Sequence, residues 1–164
     1  MRPPSRRDSD RTAVGEAEAA AFGGTDAEAT QPWAVLVDRA TEVTAGAWWS
    51  DAGGPPVTIG RSRVTARSSC ARIRGDDAVV EVSLAVGQLD LATLAHELAH
   101  ALAGVGHGHG VRFRAAEVDV VAMVVGAEGA RSLTEAFDAF GLTLAERAWP
   151  APWRLAGDGF RVLV

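Results

Sequence analysis

Residues 89–104 read Leu-Asp-Leu-Ala-Thr-Leu-Ala-His-Glu-Leu-Ala-His-Ala-Leu-Ala-Gly. Leu89 and Leu94 flank Asp90 as a hydrophobic staple flanks an N-cap, and Leu91, Leu94, Leu98 and Leu102 then recur at helical spacing until Gly104 stops the pattern. A capped amphipathic helix is therefore expected here. An α-helix advances about 100° per residue, so His96 and His100 fall one turn apart on one face, where two imidazoles can converge on one ion. Glu97 is one step round from His96, close enough in angle to reach a water beside that ion without ligating it.

The helices expected around this one follow from the same periodicity. Thr30 and Pro32 open a helix over about residues 31–46, with Trp33, Leu36, Val37, Ala40 and Val43 at helical spacing. Another runs from about Val111 to Val125, with Phe113, Ala116, Val120 and Val124 inward and Gly126 as its stop. Ser132 and Glu135 form a capping-box pattern that opens a last helix, burying Phe137 and Phe140 and ended by Gly141. Between residues 57 and 84 the character changes to short runs of Val, Ile and Thr, with Gly75-Asp76-Asp77 as a hairpin turn. The expected class is α+β: a small antiparallel sheet of about three strands packed with about four helices.

Residues 1–29 carry almost no large apolar side chains and read as a disordered N-terminal arm. Residues 30–145 form the expected domain, and residues 146–164 a C-terminal tail that packs back or binds a partner. A core is within reach, since 48% of the 164 residues are hydrophobic. The net charge of −5 argues against general attraction to phosphate backbones or anionic membranes. Cys70 is alone, which removes any intrachain disulfide or thiolate cluster. With no signal-like apolar stretch after the N-terminal arginines and no apolar run long enough to span a bilayer, the expected location is the cytoplasm.

All four histidines lie between positions 96 and 109, a clustering that core histidines have no reason to show. A catalytic zinc usually has three protein ligands and one open position, so a third donor is needed beside His96 and His100. His109 is the first candidate, at a turn-to-helix junction that can swing its ring back. His107, in the same glycine-rich turn, is the rival, and Glu117 follows. Zinc lowers the pKa of its water towards about 7, and Glu97 as general base can take the proton as that water attacks a carbonyl.

The pair His96-Glu97-Leu98-Ala99-His100 and His109-Gly110-x-x-Phe113 resembles the uncharacterised metallohydrolases of actinobacteria, and more distantly the SprT-like minimal metalloproteases. The resemblance runs from the strands before the His96 helix to about Leu142, and Val111 stands where that family often has Pro. It implies a zincin-like fold, Zn2+ as cofactor, hydrolysis, and His109 as third ligand. Metzincins fit less well, because Gly104 and His107 come one residue late for their spacing. An endoribonuclease family with a related helix would need a histidine at Gly106.

The expected function is thus a zinc-dependent hydrolase, a metallopeptidase or related amide hydrolase acting on a peptide or protein. The alternative is a non-catalytic, zinc-stabilised binding module. The chain has no Tyr to stabilise an oxyanion, so His107, an Arg or a backbone N–H must serve. The run from Ala78 to Leu84 is the expected substrate-aligning strand. Arg61, Arg63, Arg67, Arg72 and Arg74 form a basic run for which nucleic acid is a weaker partner reading.

Overall fold

The computed structural model describes residues 8–76 and 78–152. Among the described residues six α-helices accompany a three-stranded sheet: α1 (Arg11–Phe22), α2 (Trp33–Thr44), α3 (Ala47–Asp51), β1 (Val57–Arg61), β2 (Cys70–Arg74), β3 (Val79–Leu84), α4 (Leu91–Ala103), α5 (Val111–Val124) and α6 (Ala127–Ala139). The class is α+β, with two helices more than expected, α1 and α3.

The sheet is mixed, not antiparallel. Its order is β1-β3-β2, with β1 parallel to β3 and β2 antiparallel to it. The reason lies in the connections. Residues 62–69 form too long a link for a tight hairpin, and they carry the chain past β3's place before β2 begins. Only β2 and β3 are joined by a short turn, at Gly75, whose φ of 64° suits a residue without a Cβ. Asp77, placed in that turn by the sequence, lies outside the described residues. The central position of β3 also corrects its expected role: both of its edges are taken, by Val57↔Val80 on one side and Arg74↔Val79 on the other. Among the described residues the outer edges of β1 and β2 carry no partner strand.

Helix α4 begins and ends as its sequence requires. Asp90 Oδ1 accepts from the Thr93 N–H at 2.7 Å, and Gly104 closes the helix at φ 100°. Its Leu94 and Leu98 are fully buried against α5, whose Phe113, Ala116, Val120 and Val124 are buried as expected, while Val80, Val82 and Leu84 of β3 complete the core.

Three helix boundaries differ from expectation. Pro32 is the N-cap of α2 and Thr30 lies before it. Helix α6 starts at Ala127 behind Gly126, so Ser132 and Glu135 sit inside it and cap nothing. Phe140 is 43% exposed, because the helix has ended and its ring no longer follows the Leu133 and Phe137 stripe.

The largest correction concerns the N-terminal arm. Residues 11–22 are helical, and Val14, Ala17 and Phe22 are buried where α1 packs against α6. Small residues let the two helices approach closely, and charged anchors supply what the sparse apolar side chains cannot. The Asp10 carboxylate accepts from the buried Arg114 guanidinium at 2.8 Å.

Of the tail, residues 146–152 pack back. Asp119, buried on α5, accepts from the Arg147 guanidinium at 2.5 and 2.8 Å and from the Trp149 indole N–H at 2.7 Å. Trp48 donates to the Pro150 carbonyl at 2.9 Å. No helix among the described residues is long and apolar enough to cross a membrane.

This latch gives a stability prediction. Asp119→Ala strands a guanidinium and an indole N–H, and should cost about 2–3 kcal/mol in urea unfolding, whereas Asp138→Ala on the exposed face of α6 should stay within about 0.5 kcal/mol. Equal effects would mean that the latch does not hold the tail.

Candidate metal centre

The pitch of α4 places His96 and His100 one turn apart, and the loop at residues 104–110 returns His109 to the same face. Nε2 of His100 and Nε2 of His109 each lie 3.2 Å from Nε2 of His96. Around a tetrahedral zinc with bonds of about 2.0–2.1 Å, neighbouring ligand nitrogens are roughly 3.3 Å apart. The spacing therefore suits one small cation held by three imidazoles.

Phe113 is the floor of this arrangement. It is fully buried, and its ring centroid lies 4.2 Å from that of His100, 4.8 Å from His109 and 4.9 Å from His96. Its place three residues into the Gly110-capped helix α5 explains the Phe of the His-Gly-x-x-Phe pattern: it backs all three rings at once.

Behind the rings stand carboxylates. His96 Nδ1 lies 2.5 Å from Glu18 Oε1 and 3.3 Å from Glu117 Oε1. His109 Nδ1 pairs with the Asp8 carboxylate, which also accepts from the His109 backbone N–H at 3.3 Å. Gly108 makes room for that contact: its φ is 55°, and a Cβ there would press on Asp8 at 3.2 Å. A carboxylate on the outer nitrogen holds the proton there and leaves the inner lone pair for an ion. Glu117 is completely buried, and neither of its oxygens has a well-formed hydrogen-bond partner.

Of the expected donors, His96, His100 and His109 are brought together. His107 is not: it is exposed, its ring lying over the bare face of Gly104. Glu117 sits on the far side of His96 from the inner nitrogens. Glu18 and Asp8 were missed in the sequence, because a segment read as disordered offers no reason to weigh its carboxylates. Glu117 did carry a signal, as an acid four residues after Phe113 on the buried stripe of α5.

The three histidines open onto a cavity of about 600 Å3 that Glu97 also lines, with Arg11, Glu18, Ser69, Cys70 and Gln88 among the other walls. Glu97 is 6% exposed, and no hydrogen bond among the described residues uses its carboxylate. Burial lifts its pKa above the ordinary range against the pull of His96 and Arg11, with the Glu18 charge adding to the lift. Burial, helped by His96 and His109, pushes the His100 pKa down to about 3, so its ring is neutral.

Burial would also lower His96, but the Glu117 and Glu18 carboxyls outweigh it and raise its pKa well above 6.5. Burial pushes Glu18 up, yet contact with Glu117 and His96 brings it down to about 2. Burial, reinforced by the Glu18 charge, drives Glu117 well above the carboxylate range.

Three arginines of the basic run have partners in the fold. Arg74 pairs with Glu81 at 2.7 Å, Arg72 stands 3.8 Å from the same carboxylate, and Arg61 lies over the Trp33 ring at 5.0 Å.

These shifts set a pH dependence. Groups whose folded pKa is raised, His96, Glu97 and Glu117, stabilise the fold below their unfolded values of about 6.5 for the histidine and about 4.3 for the glutamates, and that stability is lost as pH climbs through the folded values. Glu18, depressed, contributes above about 4.3 and loses its share as pH falls towards 2. In chelator, the urea midpoint should therefore be lower at pH 9 than at pH 6.5; a flat profile would contradict the buried cluster. No known protein family, curated protein or solved structure matches the chain, and its chemistry has to be read from these residues.

Proposed function

We propose that the chain is a zinc-dependent hydrolase, a metallopeptidase or related amide hydrolase, with His96, His100 and His109 as ligands and Glu97 as general base. The observation that carries this is the convergence of three imidazole nitrogens, with those of His100 and His109 each at tetrahedral-edge distance from that of His96, beside the buried Glu97 carboxylate on the same cavity. When bound, zinc supplies Lewis acidity, acidifying a water and polarising a carbonyl. Glu97 accepts the proton of the attacking water, and its raised pKa makes it a stronger base than a solvated glutamate. Arg11, on the cavity wall, is the cation available to a developing oxyanion, a role for which His107, which does not line that cavity, is not placed.

A place among the metallohydrolases of actinobacteria, and more distantly the SprT-like metalloproteases, is part of the proposal, as is a zincin-like arrangement of α4 beside the sheet. So is a cytoplasmic location, consistent with the free Cys70. The substrate-aligning strand is reassigned from β3 to β2: Cys70 and Ala71 line the cavity, and the outer edge of β2 carries no partner strand among the described residues. An extended peptide can pair there, main chain to main chain.

A zinc-stabilised binding module is the second reading, since an ion at this point would also fasten α4 to α5. Three ligands facing a cavity favour catalysis, because structural zinc sites are usually closed by a fourth.

The purified protein should hold one zinc per chain. Glu97→Gln should retain it while a peptide-library digest loses about 100-fold or more in rate. His107→Ala should leave both unchanged. Zinc retained with no digestion by wild type would favour the module, and no stoichiometric zinc would remove both readings.

A further inference from the structure

Helix α1 has few apolar anchors, and its charged ones all reach the candidate metal centre or its immediate support. Glu18 holds the outer nitrogen of His96, a residue 78 positions further along the chain, and Asp8 holds that of His109, 101 positions on. Asp10, the residue before α1, is taken by Arg114 and gives the helix no side-chain cap. Arg114 in turn donates to the His109 backbone carbonyl at 2.9 Å. The segment thus grips the backs of two of the three imidazoles and a cation that fixes the backbone of one. Arg11, Gly15, Glu18, Ala19 and Phe22 also wall the cavity in front of them.

We infer that residues 8–22 are a docking outer shell of the metal centre, and that metal occupancy and the docking of α1 are one linked equilibrium. The inference rests on the zinc reading given above and adds regulation of the same site. Glu18 and Asp8 are positioning residues: each fixes a ring so that its inner nitrogen faces the ion. With α1 undocked, among the described residues His96 keeps Glu117, whose carboxyl is poorly aligned, and His109 keeps no carboxylate. Linkage is reciprocal, so the factor by which docking raises zinc affinity is the factor by which zinc favours docking. Loss of an outer-shell partner typically costs about 10–100-fold in metal affinity. Undocking also takes away one wall of the cavity, so the condition that loosens the metal is the one that opens the site.

The test uses the full chain. Zinc affinity is measured by competition with a chromophoric chelator for wild type, Glu18→Gln, Asp8→Asn and the control Glu16→Gln, which changes an exposed acid on the same helix. Amide hydrogen exchange of residues 11–22 is followed in wild type with zinc and with chelator, an arm that no folding defect of a variant can disturb. One zinc per chain is expected, with affinity about ten-fold or more lower in Glu18→Gln and Asp8→Asn, unchanged in Glu16→Gln, and exchange in α1 slowed by zinc. Wild type that binds one zinc, with variants of equal affinity and α1 exchange insensitive to the metal, overturns the linkage and leaves the metal centre standing. Two zincs per chain overturn it by making Glu18 and Glu117 ligands around the outer nitrogen of His96. No zinc in wild type overturns the centre and the linkage together.

Discussion

The ring nitrogens of His100 and His109 are each held 3.2 Å from that of His96, a convergence of three donors that one small cation could share. Much of the surrounding structure is what such a convergence demands. The pitch of α4 supplies two donors in register, the glycine-rich turn lets the chain double back for the third, and Phe113 keeps the rings from tilting. Carboxylates at the outer nitrogens settle which side of each ring carries the proton. Asp90 at one end of α4 and Gly104 at the other fix the length of the helix, and with it the height at which His96 and His100 stand against α5.

The sheet serves the centre at one remove. β3 is apolar and central, with its buried Val80, Val82 and Leu84 forming a surface on which α4 rests. β2 is short, largely exposed and at the edge, and it reaches the cavity through Cys70 and Ala71. The division between a strand that supports and a strand that faces the cavity follows from the crossover at residues 62–69.

What the sequence made legible was the part governed by local rules. The cap of α4, its stop, the inward stripe of α5 and the pairing of His96 with His100 all depend on residues within a turn or two of one another. His109 was readable because its turn lies next to the helix it completes. What could not be read depends on contacts across the whole chain. α1 looked too poor in apolar side chains to fold, and on its own it is; its order comes from Glu18 on His96, Asp10 on Arg114 and close packing on α6. The parallel pairing of β1 was hidden for a similar reason, since alternation of polarity says which residues face inward but not which neighbour a strand takes. The Ser132 and Glu135 pattern misled because the same residues are compatible with the interior of a helix once Gly126 has already started it.

The place of α1 in the chain has a kinetic consequence. Its residues are made before the groups that hold them, which lie on α4, on α5 and the turn before it, and on α6, with the hydrogen-bonding partners roughly 80 to 100 residues further along. Such distant contacts are reached only after long loops close, so they form late in folding. During synthesis the segment waits without partners, and the three-histidine cluster can form before its outer carboxylates arrive. Helix α1 is then expected among the last elements to settle, although it is made before every element that holds it.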